Sequence, residues 1–228
     1  VERWSAGTHG LVGDGVRALQ FDATGALWIG TLTGLSRLDP ETGRVRSWRY
    51  DPYGRTGLAA HRVESITVDR DGLVWIGTWA NGVSLHDPGR TGFRLAGFRP
   101  DDARFLTRPT VIAVAPAGAG KIWVGMHEEG GIALLDRERG VERVYRHDPA
   151  DPGSIGSSSV QTLRQTRDGS LWVGSATAGL SHLAPGAERW EHFVPNPKDP
   201  QALGSLNISG LYEDRDGNKR STTEINAQ

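Results

Sequence analysis

One short phrase recurs four times along this chain: GALWIGT (25–31), GLVWIGT (72–78), GKIWVGM (120–126) and GSLWVGS (169–175). Its tryptophans, Trp28, Trp75, Trp123 and Trp172, stand 47, 48 and 49 residues apart. A period of that length, held four times, marks a chain built of stacked structural repeats. The rest of the unit keeps the same period. Upstream lie the alternating runs VRALQFD, VESITVD and VQTLRQT, starting at Val16, Val63 and Val160. Downstream come GLSRLDP, GVSLHDP, GIALLD and GLSHLAP, starting at Gly34, Gly82, Gly131 and Gly179. A fourth run follows in each copy: VRSWRY, FRLAGF, VERVYR and ERWEHF. Each unit is thus four short runs with two-residue alternation, set apart by Gly, Asp or Pro turns. No stretch carries a capped 3.6-residue period, so almost no helix is expected.

Four antiparallel strands in one period is the size of a β-propeller blade. A blade cannot bury both faces alone and must stack on its neighbours. The fold class expected is therefore all-β, a propeller of four-stranded antiparallel blades at approximately 16–51, 63–99, 111–147 and 160–194. A partial blade follows at 208–218, giving about five blades if the ring closes and otherwise part of a larger ring. In this arrangement the repeat tryptophan fills the wedge between blades. Ser36, Ser84, Ala133 and Ser181 form a small column on the third strand, expected to let the next blade approach. The connections between blades keep their own register. Those at 51–63, 99–111, 148–160 and 196–208 are equally long, with Pro52, Pro100, Pro149 and Pro197 second and Leu58, Leu106, Ile155 and Leu203 eighth. Such an apolar residue is expected to anchor each connection in a core pocket.

The stretches VDRDGLVWIGTWANGVSLHDP and HDPADPGSIGSSSV resemble the two-component regulator propeller repeat. The resemblance extends over residues 1–218. It implies a periplasmic sensor region, commonly seven-bladed, of a receptor whose membrane helix and histidine kinase or diguanylate cyclase are not in this chain. After EDRDGN (213–218) the repeat leads one to expect LWIGT, but Lys219 and Arg220 stand where the buried Leu and Trp belong. Residues 219–228 are a tail foreign to the repeat. At the other end, VERW (1–4) reads as a fourth strand, and it is expected to close the ring as the outer strand of the last blade. STTEINA (221–227) could supply that blade's second strand.

Composition narrows the partners. Among 228 residues there are 31 glycines and eight tryptophans, 26 basic and 27 acidic residues, and no cysteine. The net charge of −1 without a Lys/Arg block argues against nucleic acid, and no apolar run is long enough for a membrane span. Disulfides and thiolate metal sites are excluded. The chain begins at Val1, so its compartment cannot be read from its start.

Candidate binding residues come from the loops after each tryptophan phrase, which share a face with the blade connections near the axis. Trp79 and Asn81 suit a sugar-like ligand, a flat platform beside an amide. His127, Glu128 and Glu129 could take a cation or polar ligand. Arg62 and Arg108, just before inner strands, could pair an anionic group. Asp69 and Asp71 lack the further ligands of a calcium loop and read as turn chemistry. The histidines show no metal-ligand spacing, and GAGK (118–121) lacks the phosphate-loop spacing. No catalytic residue, metal or cofactor is expected. The function expected is a ligand-sensing, non-catalytic propeller for a small molecule or oligosaccharide, and a homodimer is open. The alternatives are a protein-interaction scaffold or a propeller lyase or glycosidase.

Overall fold

A computed structural model of the chain describes residues 4–52, 57–90, 92–96, 106, 110–199 and 202–222. Four sheets repeat one plan. The first holds β1 (Val16–Phe21), β2 (Leu27–Thr31), β3 (Gly34–Leu38) and β4 (Val45–Trp48). The second holds β5 (Val63–Val68), β6 (Val74–Thr78), β7 (Val83–His86) and β8 (Phe93–Leu95). The third holds β9 (Val111–Gly118), β10 (Lys121–Met126), β11 (Ile132–Asp136) and β12 (Gly140–Tyr145). The fourth holds β13 (Val160–Gln165), β14 (Leu171–Ser175), β15 (Leu180–Leu183) and β16 (Glu191–Phe193). In every sheet neighbours in sequence pair antiparallel, so each is a simple meander. A two-stranded sheet follows, β17 (Gly210–Glu213) with β18 (Lys219–Thr222). The one helix among the described residues is α1 (Ala6–His9), a single turn.

The first strands of successive sheets, β1, β5, β9, β13 and β17, lie side by side, which makes the sheets propeller blades with these as inner strands. The described residues do not close the series into a ring. Close stacking depends on the glycine that follows each Trp–Ile or Trp–Val pair. A Cβ on Gly30 would lie 2.5 Å from Val63 Cγ1, and one on Gly125 would lie 2.6 Å from Val160 Cγ1, each in the next blade. Gly77 and Gly174 meet Val111 and Ile208 in the same way. The serine column also anchors the connections: Ser36, Ser84 and Ser181 accept hydrogen bonds from Val12, Ala59 and Gly156 backbone N–H at 2.9, 3.0 and 3.2 Å. Each donor follows the connection's apolar anchor. Leu58, Leu106 and Ile155 are buried as expected, and Leu11 takes the same place before β1.

The repeat tryptophans are not equivalent. Asp69, in the turn before β6, accepts from the Asp71 and Leu73 N–H groups with Oδ1 and from Trp75 Nε1 at 2.8 Å with Oδ2. Asp22 does the same for Trp28 at 2.9 Å and also receives Arg37. The carboxylate therefore ties the turn to the wedge residue, which fits a turn role. Ala117 and Thr166 hold that position before Trp123 and Trp172, and both indole N–H groups are buried without a partner. Trp28, Trp75 and Trp123 are buried, whereas Trp172 is only half-buried.

The two ends differ from expectation. Trp4 does not join the last blade. It packs with Leu11, Ile29, Leu38 and Val45 of the first, its ring 4.5 Å from His9, while residues 1–3 lie outside those described. A second strand for the last blade does form, but it begins at Lys219, before STTEINA, whose residues 223–227 also lie outside. Arg220 pairs across from Tyr212, as Trp75 pairs across from Thr67, and its Nε lies 3.7 Å from Asp214 Oδ2. No third strand follows among the described residues. A cavity of about 590 Å³ opens there, lined by Trp172, Phe193, Leu203, Lys219 and Arg220. Leu203 is consequently half-buried, since the third strand that receives the other anchors is missing.

Candidate functional site

The loops joining second to third strands sit beside the starts of the inner strands, as Leu32 N–H donating to Gly15 O and Trp79 N–H donating to Arg62 O demonstrate. Each of the four complete blades has a β-bulge at this end of its inner strand. The register between first and second strands slips past Arg17, Glu64, Ile112 and Gln161. A bulge re-aims its side chain out of the regular alternation. Arg17 and Glu64 use this to meet across the first and second blades. Arg17 donates to Glu64 Oε2 from Nε at 3.3 Å and Nη2 at 3.1 Å. Arg62, just before β5, donates from Nε to Oε1. The Glu64 side chain is only 2% exposed, so a desolvated carboxylate is held by two guanidinium groups. Such a charge is stable only when paired on this scale.

Arg62 continues outward. Its Cζ sits over the Trp79 ring, 4.1 Å from the centroid, a cation–π contact. The Trp79 ring lies 6.0 Å from that of His127 on the next blade. The backbone locks this pair: Thr110 Oγ1 donates to Trp79 O at 2.8 Å, and His127 N–H donates to Thr110 O at 3.1 Å. Trp79 remains 39% exposed, and His127 Nδ1 is buried without a hydrogen-bond partner. The turn carrying His127 is strained. Glu128 and Glu129, with φ of 51° and 66°, both occupy the left-handed region that side chains disfavour. Both are exposed.

The residues named from sequence thus separate. Arg62, Trp79 and His127 come together. Glu128 and Glu129 flank them on the strained turn. Asn81 does not join: its Nδ2 donates to Ala59 O at 2.9 Å, and it lines a separate cleft of about 170 Å³ with Tyr50 and Phe93. Trp79 and Asn81 therefore have different partners, the Arg62 guanidinium over the indole and Ala59 O at the amide. Arg108 lies outside the described residues. Sequence reading missed Arg17 and Glu64. Their signal was opposite charge at matching positions one repeat apart, within runs that otherwise alternate.

Residues 57–80 and 154–177 match the model of the two component regulator propeller family. No curated protein sequence matches the chain. Solved structures do. The extracellular domain of the one component system BT4673 from B. thetaiotaomicron aligns with a TM-score of 0.72 at 20% identity, over 92% of this chain and 26% of that one. The extracellular domain of the hybrid two component system BT3049 from the same organism gives 0.62 at 18% identity, over 97% and 34%. Virginiamycin B lyase from Staphylococcus aureus gives 0.66 at 14% identity, over 91% and 62%. These likenesses establish the propeller fold, and this chain spans about a quarter to a third of the two extracellular domains. No helix among the described residues is long and apolar enough to cross a membrane.

Proposed function

Since this chain carries repeats of the two component regulator propeller family, we propose that it is a ligand-sensing part of an extracytoplasmic receptor region, binding on the face where the inner strands begin. The carrying observation is the convergence of Arg62, Trp79 and His127. Three segments from two blades meet there, on an exposed aromatic and a cation held in place by Glu64. The extracytoplasmic part of the reading is supported by the extracellular domains of similar fold. The site reads as non-catalytic because its buried carboxylate, Glu64, is already committed to two guanidinium groups. The lyase resemblance is one of fold and carries no residue roles.

A second reading, a protein-interaction scaffold, draws on the exposed, strained turn of Glu128 and Glu129 beside the exposed Trp79. A thermal-shift screen of sugars, sugar acids, amino acids and short peptides separates the two, because a ligand bound to the native state raises Tm. The expected result is a stabilising hit that disappears in Trp79→Ala, with little change in that variant's own Tm. If no small molecule shifts Tm, or if Trp79→Ala unfolds the protein, the sensing site is wrong.

A further inference from the structure

We infer that the site at Arg62 recognises a carboxylate on its ligand. This rests on the sensing reading of the same face and specifies its chemistry. Arg17, Arg62 and Glu64 together carry one net positive charge, because two guanidinium groups surround one carboxylate. Both Glu64 oxygens are occupied, Oε2 by Arg17 and Oε1 by Arg62. Arg62 spends only Nε on Glu64, and among the described residues no acceptor meets its Nη1 or Nη2. The Glu64 contact and the Trp79 ring beneath fix the guanidinium. Its outer edge can then present N–H donors in one plane.

That edge matches the two oxygens of a carboxylate, and a planar, fixed fork loses little freedom on pairing. The exposed carboxylates Glu128 and Glu129 on the flanking turn oppose any further negative charge, so a monoanion suits the fork better than dianionic phosphate. A neutral sugar would find one face of the Trp79 indole covered by Arg62 and would leave the cation uncompensated. His127 closes the other side of the site: its backbone is tied through Thr110 to Trp79, and its Nδ1 is buried. The carboxylate could come from a sugar acid or from an amino-acid-like molecule, since the fork reads only the anionic end.

Calorimetric titration of the full chain tests this with five probes: glucuronate, glucose, N-acetylalanine, N-acetylalanine amide and inorganic phosphate. The expected result is that glucuronate or N-acetylalanine binds, that its neutral counterpart does not, and that phosphate is at least about tenfold weaker. Whichever carboxylate binds identifies the source. Arg62→Gln should weaken that probe by about tenfold or more, and Arg62→Lys should recover little of the loss, because a point charge does not replace a fork. Arg62→Gln leaves Glu64 with one partner and could fold poorly. The double variant Arg62→Gln/Glu64→Gln removes both charges of that pair, and it should keep the parent Tm while losing binding. Equal binding of phosphate overturns the inference, as does carboxylate binding that survives both variants. If both carboxylates fail while a neutral compound from the screen binds in a Trp79-dependent way, the carboxylate assignment falls and the sensing site stands. If no compound binds at all, both fall.

Discussion

The second and fourth blades carry the same tryptophan on the same strand and use it differently. In the second, Trp75 is fully enclosed, and its indole N–H is held by Asp69, which also closes the preceding turn. In the fourth, Trp172 lines an open cavity, its N–H has no acceptor, and Thr166 stands in place of the aspartate. Thr166 turns its hydroxyl to Asp168 at 2.6 Å and to Ser170 O at 3.1 Å. The difference teaches that the repeat has two separable parts. The ring supplies burial only when a complete blade follows. The aspartate supplies a bond that links turn and wedge within one blade.

The largest test of this contrast is truncation. Trp75→Ala should lower stability by about 3–5 kcal/mol, the cost of emptying a closed core site. Trp172→Ala should cost clearly less in the same denaturant titration, because its site is already open. Equal losses would remove the contrast. Next is the aspartate. Asp69→Ala leaves a buried indole N–H and two turn N–H groups short of an acceptor, and it should cost about 1–3 kcal/mol. Thr166→Ala should cost less, since no tryptophan depends on it.

The reverse substitution sharpens the point. Thr166→Asp recreates the acceptor before Trp172 and should raise stability by about 0.5–1.5 kcal/mol, read as a higher unfolding midpoint. No gain would mean that the fourth blade's looseness comes wholly from its incomplete neighbour. The smallest effect is one of pH. Burial pushes the Asp22 carboxyl up, but hydrogen bonds from Thr24, Trp28 and Arg37 outweigh it and hold the group below the usual carboxylate range. A depressed folded-state value means that the stabilisation is complete above about pH 4, the unfolded carboxylate's range, and is lost as pH falls through the lower folded value. Asp22→Asn should flatten the acid limb of the Tm–pH curve slightly. An unchanged acid limb would separate Asp22 from the wedge bond.

The tryptophan period was enough to read strand order, blade size and the apolar anchors Leu58, Leu106 and Ile155, because burial repeats with the chain. The hydrogen bonds of the wedge were less legible. An aspartate stands six residues before Trp28 and Trp75, and Asp214 stands six before Arg220, but the turn alone already accounts for such a residue. The site was partly legible. Loop position brought Arg62, Trp79 and His127 forward, since these loops vary while the strands repeat. Glu64 was hidden because a charged residue inside a strand run reads as a solvent-facing position. Only the bulge turns it toward Arg17, and only stacking supplies that partner. Asn81 shows the opposite case: two residues from Trp79 on a tight turn, its amide meets Ala59 O while the indole meets Arg62.

The stacking of inner strands also has a direction. Leu19 and Phe21, 60% and 61% exposed, occupy the strand that in later blades is covered by the blade before it. Every joint between blades here unites unlike surfaces, the glycine-bearing side of one with the inner strand of the next. Two copies of the β1 face would not reproduce that joint. Any contact between copies that reused this packing would run head to tail, a heterologous joint that does not end itself unless its rotation closes a ring. The same glycine spacing that fits blades together within one chain would then set the polarity of a growing assembly.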